Sequence, residues 1–433
     1  MHPIVKQIQT SLTALLQAGP DNGPACSGSL VVAFSGGVDS TLLLYALCTI
    51  PQVDPAKVHG VYVHHGLSVN ADNWQDHCAR VCEALKCQFS AQPINVAHAS
   101  RTSIEASARE GRYAALLRYC QQVKGHLLVG QHSDDQLETF LLQAKRGAGP
   151  KGLAAMPVRV KRDGVWIIRP MLGLTRSDIV RAAGTLGLDW IEDESNTDSR
   201  FDRNFLRNDI IPALTQRWPS LATTVARSAQ LCAQHSALLD EVTDERLSSL
   251  ISKQGTLCLH GLAGYSLKWQ AQLVRRWLER YRQPMPGQAQ LAQILQSIDA
   301  AEDSQPCISL GNVDIRRYQH ALHIVPRLPA PPPGGITLAC KQEYAASWCE
   351  PVFYCNAEVT IVGGMPKVRI RLAGGGVSKM LKDWLKQWRV PAWRRQHIPL
   401  VYLNQQPVAV IVNHKVHYLE HCPPDFSVTL VNQ

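Results

Sequence analysis

Two short stretches carry residue types whose spacing could do chemistry. In the first, Ser35-Gly36-Gly37-Val38-Asp39-Ser40, two glycines offer no Cβ to obstruct an anion. Backbone amides of such a turn can face a phosphate group, with the Ser35 and Ser40 hydroxyls as further donors. Asp39 beside phosphate is repulsive unless a divalent cation lies between them, so the residue choice implies Mg2+ held jointly by carboxylate and phosphates. The plainer alternative is that Asp39 caps a helix. In the second stretch, His132-Ser133-Asp134-Asp135-Gln136-Leu137-Glu138, helical spacing projects Asp134, Asp135 and Glu138 towards one side, next to His132. Acids in a first helical turn answer the macrodipole, which accounts for two of the three; the third calls for a bound cation, Mg2+ or an amine.

The elements that must position these residues are readable around them. Val31 to Phe34 reads as a strand covered on both faces and Thr41 to Leu47 as a helix packed on it, so the glycine stretch is a strand-to-helix turn. Val58 to His64 and His126 to Gly130 read as further buried strands, and Ser103 to Gln121 as a helix. Such alternation predicts an α/β fold with a doubly wound parallel sheet, whose ligands bind at the carboxyl ends of the strands. The two chemical stretches then face one crevice. Arg109, Arg112 and Tyr113 fall on the helix upstream, where an arginine can reach an ATP phosphate as a bidentate donor, and His64 and His65 fall at another strand end.

Beyond this region the pattern changes. The reading divides the chain into a catalytic domain over 1–215, a mostly helical substrate-binding domain over 216–325 with short strand-like pieces around Ile308 and Ile315, a Pro/Gly-rich linker over 326–345, and a small basic α+β domain over 346–433. In the last, Lys379, Lys382, Lys386, Arg389, Arg394 and Arg395 are interleaved with Trp384, Trp388 and Trp393. Basic residues supply phosphate affinity and tryptophans can stack on bases, although a domain of this size also needs large apolar residues inside. A net charge of +9 fits a polyanionic partner, nucleic acid first. The glycine turn lacks the Gly-Lys-Ser/Thr of a Walker loop and is not GxGxxG. The 13 cysteines match neither a zinc ribbon nor a CxxC redox pair. No basic leader with an apolar core opens the chain and no run is long enough to span a bilayer, so the expected location is the cytoplasm. Composition leaves monomer and homodimer open.

SGGVDS resembles the pyrophosphatase loop of the N-type ATP pyrophosphatases, which cleave ATP between the α and β phosphates. Together with VHHGLS, AREGRY, HSDDQLET followed by KRGAG, and WIEDESNTDSRFDRNFLR, in this order, the chain resembles the bacterial tRNA(Ile)-lysidine synthases. Two departures are visible: Gln131 stands where that family commonly has a histidine, and Ala148 replaces the serine of RGSG. The resemblance implies an ATP-dependent ligase that joins free lysine to C2 of the wobble cytidine of tRNA-Ile with a CAU anticodon, through an adenylated cytidine. It implies that Ser35, Gly36, Gly37, Val38, Asp39, Ser40 and Arg112 bind ATP, and that Asp39 and Asp134 hold Mg2+. Asp135 and Glu138 would hold the lysine, Asp39, Arg112, His132 and Lys145 would be catalytic, and Arg203, Arg207 and the C-terminal basic residues would meet tRNA. Three other readings compete, one of them an amidotransferase or NAD synthetase, which would want an ammonia supply that no obvious glutaminase segment provides. A tRNA thiolase of the same superfamily would carry a PCxxC-type pair, which is missing, and a tRNA-binding module with a dead nucleotide site would have no need to keep both SGGVDS and DDQLE.

Overall fold

The computed structural model describes residues 2–17, 28–64, 70–94, 101–192, 200–298, 306–349 and 351–431, with side chains of the helix starting at residue 101 described from residue 109. His65 lies outside the described residues. The chain divides into two compact units, Met1–Leu239 and Asp240–Gln433.

The first unit runs α1 (Pro3–Gln17), β1 (Leu30–Ala33), α2 (Val38–Cys48), β2 (Val58–His64), α3 (Ala71–Ala84), β3 (Gln88–Pro93), α4 (Arg101–Gln122), β4 (His126–Leu128), α5 (Ser133–Lys145), α6 (Pro150–Leu153), β5 (Arg159–Arg162), β6 (Val165–Ile168), α7 (Arg176–Thr185), α8 (Asp202–Phe205), α9 (Ile211–Arg217) and α10 (Leu221–Ser248), whose last turns belong to the second unit. Its sheet has the order β3-β2-β1-β4-β6-β5, parallel except for β5, which returns antiparallel on β6 at the edge. Helices cover both faces. One core packs α1, α2, α3 and α7 through Ile8, Leu42, Cys78 and Ile179; the other packs α4 through Leu116, Leu117 and Cys120 on Val31, Leu127 and Ile167. Strand order reverses between β1 and β4, so both chemical stretches leave neighbouring strands at the switch point, where a doubly wound sheet opens a crevice.

The expected boundary at 215 falls inside α9, and the stretch from Leu221 forms one continuous 28-residue helix. In the second unit, β7 (Leu257–Cys258), α11 (Leu259–Ala263), α12 (Leu267–Arg280), α13 (Gln288–Gln296), β8 (Cys307–Leu310), β9 (Val313–Tyr318) and β10 (Ala321–Pro326) share a core around Trp277. The segment expected to be mostly helical thus also contains a four-stranded antiparallel sheet, β7-β10-β9-β8. There follow β11 (Ile336–Leu338), β12 (Phe353–Cys355), β13 (Val359–Val362), β14 (Arg369–Ile370), β15 (Lys379–Met380), α14 (Leu381–Gln387), α15 (Ala392–Arg395), β16 (Leu400–Leu403), β17 (Gln406–Val412), β18 (Lys415–Tyr418) and β19 (Val428–Leu430). β11 falls within the stretch expected as linker, yet pairs with β13 in a five-stranded sheet, because Ile336 to Leu338 offers free ladder groups past the last Pro and Gly. The basic stretch holds two short helices, α14 and α15, broken where Arg389 takes a left-handed φ of 54° ahead of Pro391. Every described cysteine is a free thiol, and among the described residues no helix is long and apolar enough to cross a membrane.

Close packing under the crevice strands gives a stability prediction. A Cβ at Gly60 on β2 would lie 2.5 Å from the Cys82 sulfur and 3.3 Å from Phe34 Cδ1, both fully buried. Gly60→Ala is expected to overpack this layer and to cost about 1–3 kcal/mol. A urea-denaturation midpoint equal to that of the parent protein would contradict this.

Candidate active site at the switch point

The turn between β1 and α2 is built for close approach. Gly36 has a φ of 78°, and a Cβ there would meet Ile191 Cδ1 at 2.5 Å, so only glycine fits beneath the segment that donates from the Ile191 amide to the Gly36 carbonyl at 2.8 Å. Gly37 is the N-cap of α2 and offers no side-chain cap, which leaves the positive end of the helix dipole facing the crevice. Ser40 donates to the Gly37 carbonyl at 3.0 Å and lies 3.3 Å from the Ser35 hydroxyl. Asp39 does not cap the helix. It stands in the first turn, with its carboxylate towards the end of β4.

There it meets the second stretch. His132 is the N-cap of α5 and is 2% exposed. Its Nε2 lies 3.7 Å from Asp39 Oδ1 and 3.5 Å from Asp135 Oδ2, and its Nδ1 lies 3.4 Å from Asp134 Oδ2. Asp135 Oδ2 also accepts from the His132 backbone amide at 3.0 Å. Three carboxylates therefore surround one imidazole. Burial alone would lower the His132 pKa, but the Asp134, Asp135 and Asp39 charges outweigh it and hold the ring above its ordinary value. Burial works upward on Asp134 too, and is outweighed by His132 and the Arg176 amide, which bring it down to about 2. For Asp39 burial prevails over His132 and Arg176, and its pKa is raised.

Three arginines complete the charge balance. Arg176, at the start of α7, donates its backbone amide to Asp134 Oδ2 at 2.9 Å and its guanidinium to Asp39 Oδ2 at 3.2 Å. Arg207 bridges Glu138 Oε1 at 2.6 Å and Asp135 Oδ1 at 3.0 Å. Arg203 Nε stands 3.2 Å from Glu138 Oε2 without hydrogen-bond alignment, and its Nη2 donates to Thr139 at 3.2 Å. Burial raises the Glu138 pKa against these two cations, and lowers that of Arg203, which also feels the charge of Arg109.

The expected residues thus separate into groups. The structure brings together Asp39, His132, Asp134, Asp135 and Glu138. Arg203 and Arg207, expected on tRNA, are turned here onto Glu138 and Asp135, because carboxylates this buried need a cation within reach. Glu138 is 1% exposed, so its charge is answered within the protein. Lys145 pairs with Asp202 at 2.8 Å on the surface, and Arg109 and Arg112 are exposed on α4. Gln131, at the departure from the family pattern, accepts from the buried Arg169. His64 lies 3.1 Å from Asp72. Sequence reading missed Arg176; its only local signal is its place after the Thr175 N-cap, which does not tell which carboxylate it will meet. In the C-terminal domain Lys382, Lys386, Arg389 and Arg394 are exposed, Lys379 lies over the Trp384 ring, and Arg395 donates to the Val390 carbonyl. Trp384 is buried, while Trp388 is half-buried and stacked on His417 with ring centres 4.2 Å apart.

With this geometry in view, the likenesses to known proteins decide the family. Residues 5–214 match the PP-loop domain, 257–323 the TilS substrate binding domain and 359–417 the TilS substrate C-terminal domain. The tRNA(Ile)-lysidine synthase of Pectobacterium atrosepticum is 36% identical over 417 residues, covering 92% of this chain and 93% of that one. The chain belongs to the tRNA(Ile)-lysidine synthase family. That of Vibrio parahaemolyticus is 39% identical over 404 residues, covering 88% and 90%. A PP-loop ligase of this family uses ATP, which suits a crevice with an uncapped helix end on one side and a carboxylate cluster on the other.

A pH dependence follows from His132. Its pKa is raised in the folded state, so the stability it contributes is fully present below its unfolded pKa of about 6.5 and is lost as pH rises through the folded value. His132→Gln is expected to lower the urea midpoint most at pH 6, with the deficit shrinking in alkaline buffer. A deficit that grew with pH would reverse the sign of this coupling.

Proposed function

We propose that this protein converts the wobble cytidine of a CAU-anticodon tRNA-Ile to lysidine with ATP and free lysine, working in the cytoplasm. The observation that carries the reading is the juxtaposition, across one switch point, of an uncapped helix end suited to phosphate and a carboxylate cluster suited to an amine. A carbonyl oxygen on cytosine C2 is a poor leaving group. ATP adenylates that oxygen, pyrophosphate leaves, and the lysine ε-amine then attacks C2 and displaces AMP. Each residue has a role that suits its surroundings. The Ser35–Ser40 turn and the α2 N-terminus receive the phosphates, and Arg112 adds a guanidinium.

Asp39 Oδ1 is a buried carboxylate oxygen with no hydrogen-bond partner, and Asp134 stays ionised at any physiological pH, so this pair fits a divalent cation. Mg2+ bound there supplies charge neutralisation for the phosphates. The amine is held by Asp135 and Glu138, which it shares with Arg203 and Arg207: an ammonium entering the cluster takes over carboxylate charge that the guanidiniums now answer. The proton lost by the attacking amine passes to the neutral form of His132, whose Nε2 lies beside Asp135, a form that alkaline pH favours because the ring's pKa is raised. Lys145 and the guanidiniums released from the cluster lie at the rim, where tRNA phosphates arrive, and the exposed basic residues of the C-terminal domain hold the rest of the tRNA.

Incubation with ATP, Mg2+, labelled lysine and total tRNA tests the reading. Covalent label on one tRNA is expected, and Asp39→Asn should cut its formation by two orders of magnitude or more with little change in thermal stability. Label found on no tRNA, with the parent protein folded, would refute it. Glu138→Gln separates the half-reactions. The lysine KM should rise far more than the ATP KM, since the amide removes charge complementarity to the amine while the phosphate turn is untouched. Equal losses would assign the carboxylate to the fold instead.

A further inference from the structure

The edge of the catalytic sheet carries charge that the site does not use. β5 reads Arg159-Val160-Lys161-Arg162 and is the outermost strand, joined to β6 through the Asp163-Gly164 turn. Its two faces differ. Val160 with Val165 and Ile167 of β6 packs inward on the core under α4. Arg159 and Lys161 lie on the opposite face, where cross-strand register sets Lys161 against Trp166. The Arg159 Cζ and the Lys161 Nζ each stand 5.7 Å from the Trp166 ring centre, so one half-buried indole steadies two cations. Lys161 and Arg162 are exposed; Arg162 makes a long 3.8 Å approach to the more exposed Asp163.

This edge is fixed to the active site. The loop before β5 is clipped to α5 by Gln136, whose side chain donates to the Met156 carbonyl and accepts from the Met156 amide, both at 2.8 Å. Arg169, at the end of β6, donates to the Pro157 carbonyl at 2.9 Å and to Gln131, the neighbour of His132. Register pairs Arg159 with Ile168, at the carboxyl end of the sheet, and Arg162 with Val165, towards the other end. Cations therefore stand along both faces of the outer strand, Arg159 and Lys161 on one and Arg162 on the other, beginning at the end of the sheet where the carboxylates lie, two strands from β4.

We propose that this edge is a tRNA-binding surface of the catalytic domain, taking the sugar-phosphate backbone of the nucleotides that flank the reacting base. The inference rests on the proposed function, which brings a wobble base to the carboxyl end of the sheet. A base inserted there leaves its neighbouring phosphates at the rim, and a strand that presents cations at a spacing of about 6.6 Å for alternate residues can follow them. Basic residues on an edge strand also serve to prevent pairing between sheets of different molecules, and the test separates the two roles.

Binding of a CAU-anticodon tRNA-Ile transcript to the full chain is measured across a salt series for the parent protein, for Lys161→Gln/Arg162→Gln, and for Lys161→Arg. The double variant should bind about 10-fold more weakly at physiological salt and lose about one unit of log–log salt slope per contact, with an unchanged ATP KM, while Lys161→Arg keeps the parent affinity. Parent-like affinity and slope in the double variant would overturn the inference and leave these residues as guards of the edge. Failure of the parent protein itself to bind the transcript would instead sink the proposed function, and this surface with it.

Discussion

Like charge held partly out of water is the constraint around which this catalytic domain is arranged. Asp39, Asp134, Asp135 and Glu138 converge on the switch point, and two carboxylates about 5 Å apart at an effective dielectric constant of about 20 repel by roughly 3 kcal/mol. No single cation answers that. His132 stands among three of them, Arg176 joins two, and Arg207 joins Asp135 to Glu138. Each of the three comes from a different segment, so the cluster exists only when α2, α5, α7 and the stretch after α8 are docked together.

Such a cluster is expensive for stability and useful for binding. Its cations are the protein's own, attached to side chains of which Arg176 and Arg207 remain partly exposed, and a stronger or better placed cation can take their share. In the proposed reaction the incoming charge is a metal with phosphates on the Asp39 side and an amine on the Glu138 side. In that reaction the glycine turn would set where the phosphates stop, because Ile191 closes over Gly36 and leaves the α2 N-terminus as the open donor surface. The backbone just past β4 contributes as well: a Cβ at Gly130 would lie 3.0 Å from the Asp39 carbonyl carbon and oxygen, so a side chain there would push the two halves of the site apart.

The site also explains the edge of the sheet. The carboxylate cluster repels phosphate, yet the proposed reaction brings an RNA chain to it. Cations must therefore stand outside the cluster, and within the catalytic unit they do, on β5. Gln136 and Arg169 tie the β5 edge to the same helix and strand end that carry the carboxylates, so the attractive and the repulsive charges keep a fixed spacing within one rigid unit.

Much of this was present in the sequence alone. The buried strands β1, β2 and β4, the glycine turn after β1, and the convergence of Asp134, Asp135 and Glu138 follow from local pattern, because periodicity and backbone freedom are properties of adjacent residues. The paired partners were not. Arg176 lies 137 residues from Asp39 along the chain and Arg207 lies 72 from Asp135, and their own neighbours in sequence do not differ from those of a solvated arginine. Nor could the sequence tell that Gly37 rather than Asp39 occupies the cap, that Ile336 to Leu338 joins a sheet, or that the basic stretch breaks at Arg389. Each depends on what the rest of the fold leaves unpaired: carboxylates that need a cation, a strand edge that needs a ladder, and a chain that must turn to close a small core.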